Sequence, residues 1–285
     1  MKLVLSRKGF DSGYGGMPSP ILPNGRLVPL PIPSPTDRFT LADINIPDID
    51  ISKLLADLSH GNRPATTRVH LDPDLDRAPE LRLPQWRPSL GQSDAAQSHL
   101  RNMGVGIGDV FIFFGWFRQT EYREGIWRFV RGAPHMHVMF GWLEIDAVLP
   151  IASERERCLS RFPWIANHPH VSDPGHYARN TLYVAGRRSS FKPNAAFGGG
   201  RFSRYSDKLR LTKPGATRSV WSLPRWFMPN AARAPLSYHP KLDRWVKDRN
   251  SVTLRSVAKG QEFVLDGAAY PEAEGWAANL VRNHG

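Results

Sequence analysis

The sequence predicts an α+β fold: a curled, mostly antiparallel sheet with short helices and long loops rich in proline and glycine. Three observations carry this. Apolar runs of strand length, among them 110–116 and 136–145, are bounded by Gly, Asp and Pro turns. Helical patterns are present but short, and they lack the regular alternation with strands that builds a parallel sheet. Eight prolines fall between residues 17 and 47, where missing backbone donors bar both a helix and a sheet interior.

The elements follow in order. Residues 2–6 read as a strand. Asp50 is placed to cap a helix whose Ile51, Leu54, Leu55 and Leu58 share one face, with Gly61 at its end. Residues 70–88 are turn-rich and carry no clear element. Asp94, with Gln97 three residues on, has the capping-box spacing for a helix that buries Ala96, Leu100 and Met103 and ends at Gly104. Strands are expected at 110–116, 126–130 and 136–145. Ser153 and Glu156 repeat the capping-box spacing for a helix running to about Phe162, where Pro163 stops it. Residues 167–180 read as loop and 181–185 as a strand. "KLRLT" (208–212) and "EFVLD" (262–266) read as strands, and 272–282 as a final helix. The chain is read as a single domain, 1–285.

With 285 residues, 41% of them hydrophobic, the chain can bury a sizeable core. No apolar run approaches the roughly 18 residues of a membrane span, so no membrane partner is expected. The start lacks the pattern of a secretory leader, since only three apolar residues separate Lys2 from Ser6. A single cysteine, Cys158, excludes an internal disulfide and fits a reducing compartment. The expectation is a cytoplasmic protein.

The net charge of +12 is unevenly spread. Residues 1–150 balance 16 basic against 16 acidic side chains, while 151–285 hold 22 against 10. Between His176 and Arg255 the ratio is 17 to 3. A GC-rich genome raises arginine everywhere, and 29 of the 38 cations are Arg. Such a bias would not also strip acids from one stretch. The clustering points to a polyanion partner, nucleic acid foremost.

The strand at 2–6 runs into "RKGFDSGYGG" (7–16). The phosphate-loop and dinucleotide patterns both fail here: no Lys-Ser/Thr pair follows the glycines, and Pro18 and Pro20 forbid the helix each needs. What survives is a strand-end turn presenting Arg7, Lys8, Asp11 and Ser12. Arg7 and Lys8 would hold a phosphate, and Asp11 would act as a base or orient a sugar hydroxyl, so these four are the candidate catalytic residues. The competing reading is a flexible turn leading into the proline-rich arm.

Residues 187–213, "RRSSFKPNAAFGGGRFSRYSDKLRLTK", interleave cations with Phe191, Phe197, Phe202 and Tyr205 around three glycines. Cations neutralise phosphates while aromatic rings stack on bases. Arg187, Arg188, Lys192, Arg201, Arg204 and Tyr205 are the candidate nucleic-acid contacts, and the basic aromatic segment extends over 187–255. The plainer reading is a solvated loop anchored by its rings.

No metal is expected. His135, His137, His168, His170, His176 and Asp173 are numerous enough for zinc, but no spacing matches a zinc motif and no cysteines support one. "HLDPDLDR" (70–77) carries Asp72, Asp74 and Asp76. It fails the calcium-loop pattern because Arg77 and Leu83 stand where Gly and Glu are needed. Paired carboxylates for magnesium remain open there, with an aspartate-proline turn preferred. Nothing in the residues specifies a cofactor.

Two resemblances add to this. "AQSHLRNMGVGIGDVFIFFGWFR" and "HVMFGWLEIDAVL" are similar to the middle of PUA-like domains of the EVE or ASCH kind, through Leu100–Met103, Gly108-Asp109 and Gly141–Ile145. That resemblance implies a PUA-like barrel core at about 91–186 and a base pocket between Trp116, His137 and Trp142. The whole chain resembles the third of the nucleotide-modification-associated domain families. The residues that carry this are "LSRKGFDSGYGGMPSPI", "HLDPDL", the two Gly-Trp strands and "NTLYVA". It implies a component of a system that modifies nucleic-acid bases, with nucleic acid or nucleotide and other modification proteins as partners. Two readings stand: an enzyme of unnamed reaction, or a non-catalytic reader of modified bases.

Overall fold

The computed structural model describes residues 1–44, 46–76, 83–173, 175 and 177–285. Next to one end of the main sheet lies β1 (Lys2–Arg7), whose Leu3, Val4 and Leu5 are fully buried. It pairs in parallel with β6 (Val110–Arg123) and antiparallel with β14 (Glu262–Asp266). Beyond β6 come β8 (Met136–Leu149), β9 (Thr181–Ala185) and β5 (Ser89–Gln92), each antiparallel to the last. Three short strands attach to this path. β2 (Ser19–Ile21) and β7 (Ile126–Phe129) pair with β6, and β10 (Gly199–Arg201) pairs with β8.

The two central strands are near-continuous apolar runs because both their faces are covered. Register shifts at Phe113/Phe114 and at Ile145/Ala147 bend the sheet. The curl is strong enough that β5 and β14, the two ends of the path, approach each other. Gln92 Nε2 donates to Glu262 Oε1 at 2.6 Å. No backbone ladder joins these edges among the described residues, so the sheet curls without closing. The closed barrel implied by the PUA-like resemblance is not formed, because the last gap is bridged by side chains.

A second sheet, β11 (Val220–Pro224), β13 (Ser251–Arg255) and β12 (Trp245–Lys247), lays Trp221, Leu223, Val252 and Leu254 onto the main core. The proline-rich arm wraps a satellite core of Phe10, Leu22, Val28 and Leu30. Against it pack the β3 (Phe39–Thr40) and β4 (Arg68–Val69) pair and α1 (Ile51–Leu58). α1 begins as its sequence demands: Asp50 Oδ1 accepts the amides of Ser52 and Lys53.

Other expectations need correction. α2 (Asp94–Asn102) is preceded by Ser93, so Asp94 is already inside the helix. Gln97 does not reach back to the cap; it turns inward and accepts the Tyr183 hydroxyl at 3.0 Å. α3 (Ile151–Arg161) starts before Ser153 and is kinked at Glu154. The 167–180 loop contains α4 (Pro169–Ser172). "KLRLT" forms no strand, only a 3₁₀ turn followed by isolated bridges at Arg210 and Thr212. The last helix, α5 (Glu272–His284), is where it was expected. Residues 77–82 of the turn-rich region lie outside the described residues.

Candidate functional site

The seam between the two sheet ends is where polar chemistry collects. β1 ends there, delivering Arg7 and Lys8. β5 ends there with Gly91 and Gln92, and Gly260 and Gln261 lead into β14. Together with Gly9, Asp11, Tyr14, His70, Asp72, His170 and Tyr177 they line a cavity of about 380 Å³. Gly9 and Asp72 also form part of the wall of a smaller neighbouring cavity of about 240 Å³, lined by Phe39, Leu71, Leu75 and Phe140.

The floor is an ion cluster. Glu262 is 1% exposed, and its Oε1 accepts Ser6 Oγ at 3.1 Å, Gln92 Nε2 at 2.6 Å and Lys8 Nζ at 3.1 Å. Its Oε2 is buried with no hydrogen-bond partner among the described residues. Arg7 donates to the carbonyls of Ala258 at 2.7 Å and Val257 at 3.1 Å. Burial lowers its pKa, partly offset by the charge of Asp11.

Asp11 holds the opening turn. Its Oδ1 accepts the amides of Gly13 at 2.7 Å and Tyr14 at 2.6 Å. Gly15 sits at φ +90°, and a Cβ there would lie 2.3 Å from the Phe10 ring, so glycine is required for the turn to pack. Of the four residues proposed from this loop, Arg7, Lys8 and Asp11 line the cavity. Ser12 is exposed and accepts Arg218 Nη2 at 3.2 Å, with the Arg218 guanidinium 4.3 Å over the Trp116 ring.

The opposite wall was not foreseen as a unit. His70, Asp72 and His170 each bring a ligand-type atom to within 4.8 Å of the others. His70 Nδ1 lies 2.9 Å from Asp37 Oδ2. Burial pushes the Asp37 carboxyl up, but hydrogen bonds from His70 and Ser34 outweigh it and hold the group below its usual range. An ionised Asp37 makes His70 Nδ1 the donor, so in the neutral ring Nε2 is the acceptor. His170 is oriented likewise. Its Nδ1 is 2.7 Å from Asn180 Oδ1, and Asn180 Nδ2 donates to the His170 carbonyl at 2.5 Å. Burial lowers the His170 pKa to about 4, so the ring is neutral. It stacks on Tyr177 at 4.5 Å, and burial raises that phenol to about 12.

Asp72 Oδ1 accepts the Gly91 amide at 2.7 Å and is 3.5 Å from His168 Nε2. Burial alone would raise its pKa. The His168 hydrogen bond and the Lys8 charge more than compensate, leaving it well below the carboxylate range. Gly91 makes the convergence possible, since a Cβ there would lie 2.1 Å from the His170 ring. The signal in the sequence was the His70-Leu71-Asp72 spacing, which puts both side chains on one side of extended backbone. Its third member lies a hundred residues on and is brought in only by the curl. His135 and His137 are elsewhere, and His176 lies outside the described residues.

The other proposed residues separate. Trp116 and His137 are cross-strand partners, whereas Trp142 pairs opposite Ile112 and stacks on Phe202 at 5.4 Å. His137 Nδ1 accepts Trp221 Nε1 at 3.0 Å. None of the three lines either cavity described above. In the basic segment, Arg201 pairs with Asp76 at 2.6 Å and Arg204 donates to the Asn24 carbonyl at 3.3 Å. Tyr205 donates to Asp207 at 2.7 Å, and Lys192 donates to the Gly285 carbonyl. Phe191 and Phe202 are buried in the core. Arg187 and Arg188 remain exposed.

No curated protein and no solved structure matches this chain. A family model, nucleotide modification associated domain 3, matches residues 2–266, a span that contains every side chain lining the seam cavity. The chain belongs to the nucleotide modification associated domain 3 family.

Proposed function

We propose that the protein is a catalytic component of a nucleotide-modification system and that it acts on a nucleotide or nucleobase in the seam cavity. One observation carries this reading. A single cavity of about 380 Å³ gathers two cations, two carboxylates and two imidazoles held in defined tautomers. Its volume suits a small-molecule or base-sized ligand. Arg7 donates to two carbonyls, lies over the Phe263 ring and forms no ion pair among the described residues, so its guanidinium charge stays available to a phosphate. His70 is held in a fixed orientation by its contact with Asp37. Asp11 shapes the turn that closes one side. Arg187 and Arg188 supply a solvent-facing basic edge for nucleic acid, and other proteins of the modification system are the further partners.

The test is a nucleoside profile by mass spectrometry of DNA and RNA from cells with the gene intact, deleted, or carrying Arg7→Met. A modified nucleoside that disappears in the deletion and in Arg7→Met supports the reading. A profile unchanged on deletion overturns it, and retained preference for a modified oligonucleotide would then favour the reader.

A further inference from the structure

We infer that His70, Asp72 and His170 form a mononuclear site for a divalent first-row transition metal, with open coordination positions facing the seam cavity. The inference deepens the reading above and rests on it for the metal's use, but not for its binding.

The argument begins with hydrogen-bond accounting. In a purely structural polar network nearly every buried polar atom meets at least one partner, water included. Here both Nδ1 atoms are spent, on Asp37 and on Asn180. That leaves Nε2 of each ring as an acceptor, and no hydrogen bond to either Nε2 occurs among the described residues. Asp72 gives Oδ1 to the Gly91 amide and carries no hydrogen bond on Oδ2 among the described residues. One ligand-type atom from each of the three residues lies within 4.8 Å of the others. Lone pairs brought together in this way favour a cation, with water the competing occupant.

The outer contacts are those that metal-bound imidazoles use. One ring is backed by a carboxylate and the other by an amide oxygen, which fixes tautomer and orientation. Charge points the same way. Arg7 and Lys8 face Asp11 and Asp72 in the cavity, while Asp37 and Glu262 stand directly behind it. With neutral imidazoles and with Arg218, whose charge acts on Asp11, these groups sum to one net negative charge, so charge favours a cation here.

Two imidazoles and one carboxylate select iron, zinc, manganese or cobalt over magnesium or calcium, which prefer all-oxygen shells. Bonds of about 2.0–2.2 Å set neighbouring ligands about 3 Å apart. Loading thus draws the three atoms inward, by rotation of Asp72 and the two rings. Three protein ligands leave positions open, which distinguishes a reactive site from a closed structural one.

The experiment uses the untagged full chain, stripped with chelator and reloaded separately with Fe(II), Zn(II), Mn(II), Co(II) and Mg(II). Metal content is measured by mass spectrometry, and the Co(II) form by its visible d–d absorption. About one equivalent of at least one transition ion per chain is expected, with none of magnesium. Asp72→Asn and His170→Gln should each lower affinity by more than about tenfold, and the outer-contact variant Asp37→Asn by about 10–100-fold. His135→Gln, outside the cluster, should bind as the parent does. The inference is overturned if no transition ion is retained by the folded parent, or if folded Asp72→Asn and His170→Gln retain full stoichiometry and affinity. Circular dichroism establishes folding, and if either variant unfolds, Asp37→Asn decides. Metal binding with an unchanged nucleoside profile would leave this site standing while removing the proposed function.

Discussion

Gln92, the last residue of one edge strand, donates a 2.6 Å hydrogen bond to Glu262, the first residue of the other. This contact joins the ends of a nine-stranded sheet that no ladder joins among the described residues, and Lys8, just past β1, pairs with the same carboxylate. Glu262→Gln leaves the Lys8 ammonium, only 9% exposed, without its anion. Loss of one partner of a buried pair costs about 3–5 kcal/mol. Gln92→Leu removes a neutral donor and should cost about 1–3 kcal/mol. Urea denaturation of both variants tests this ordering, and equal midpoints for all three proteins would contradict it.

Gly91→Ala should act through His170. The new methyl carbon would lie 2.1–2.7 Å from three atoms of that ring, so the imidazole must swing away or the strand must shift. Overpacking of this kind costs about 1–3 kcal/mol. Cobalt binding should weaken in this variant even where it stays folded. A crystal structure with His170 undisplaced would refute the steric argument.

Asp11 separates shape from chemistry. Asp11→Asn keeps the carbonyl oxygen that accepts the Gly13 and Tyr14 amides but removes the charge. Asp11→Ala removes both. If Asp11 only shapes the turn, Asn preserves the nucleoside profile and Ala impairs it. A profile lost equally in both variants would assign the carboxylate a direct role.

Arg187 and Arg188 are exposed and form no ion pair or side-chain hydrogen bond among the described residues, unlike Arg201 and Arg204. Reversing both to Glu should weaken nucleic-acid binding across all sequences. The slope of log K against log salt should flatten by about one unit per lost phosphate contact. A slope matching the parent's would place the interface elsewhere.

Stability should fall as the solution is acidified from about pH 6.5 towards pH 4. His239 donates from Nδ1 to the Ser237 carbonyl at 2.9 Å and accepts the Val257 amide on Nε2 at 3.2 Å. Burial lowers its pKa to about 4. Burial also holds His137 well below its ordinary value, helped by the charges of Arg7 and Arg218. In that window the unfolded chain binds protons that the folded chain refuses, so stability rises with pH. Each such histidine contributes at most about 1.4 kcal/mol per unit. Denaturation midpoints in His239→Gln should vary less steeply with pH than in the parent. An identical pH dependence would sink the assignment.

The strands were legible because their composition is extreme. Leu3–Leu5, the run from Val110 and "TLYVA" can only be buried strands. The helix caps were legible where the cap is used: Asp50 caps α1 as its position demands, whereas Gln97, at the capping-box position expected after Asp94, is taken by Tyr183. The opening loop was recognisable as polar and turn-forming, and three of its four singled-out residues reach the cavity. The other wall was not legible. His70, Asp72 and His170 belong to segments without strong local pattern, and only the curl of the sheet sets them opposite Arg7 and Lys8. Trp116, His137 and Trp142 show the converse: they belong to paired strands, but Trp142 turns to Phe202 and His137 to Trp221.

A backbone ladder fixes the spacing of two strands at one value, whatever their side chains. The gap between Glu262 and the far edge is instead spanned by the Gln92 side chain, whose reach depends on residue type, while Ser6 and Lys8 meet the same carboxylate from the β1 side. The floor of the cavity is therefore written in side-chain length and charge. Exchange at Gln92 or Lys8 would widen, narrow or repolarise it while every strand keeps its register, so the cavity can change without any change of fold.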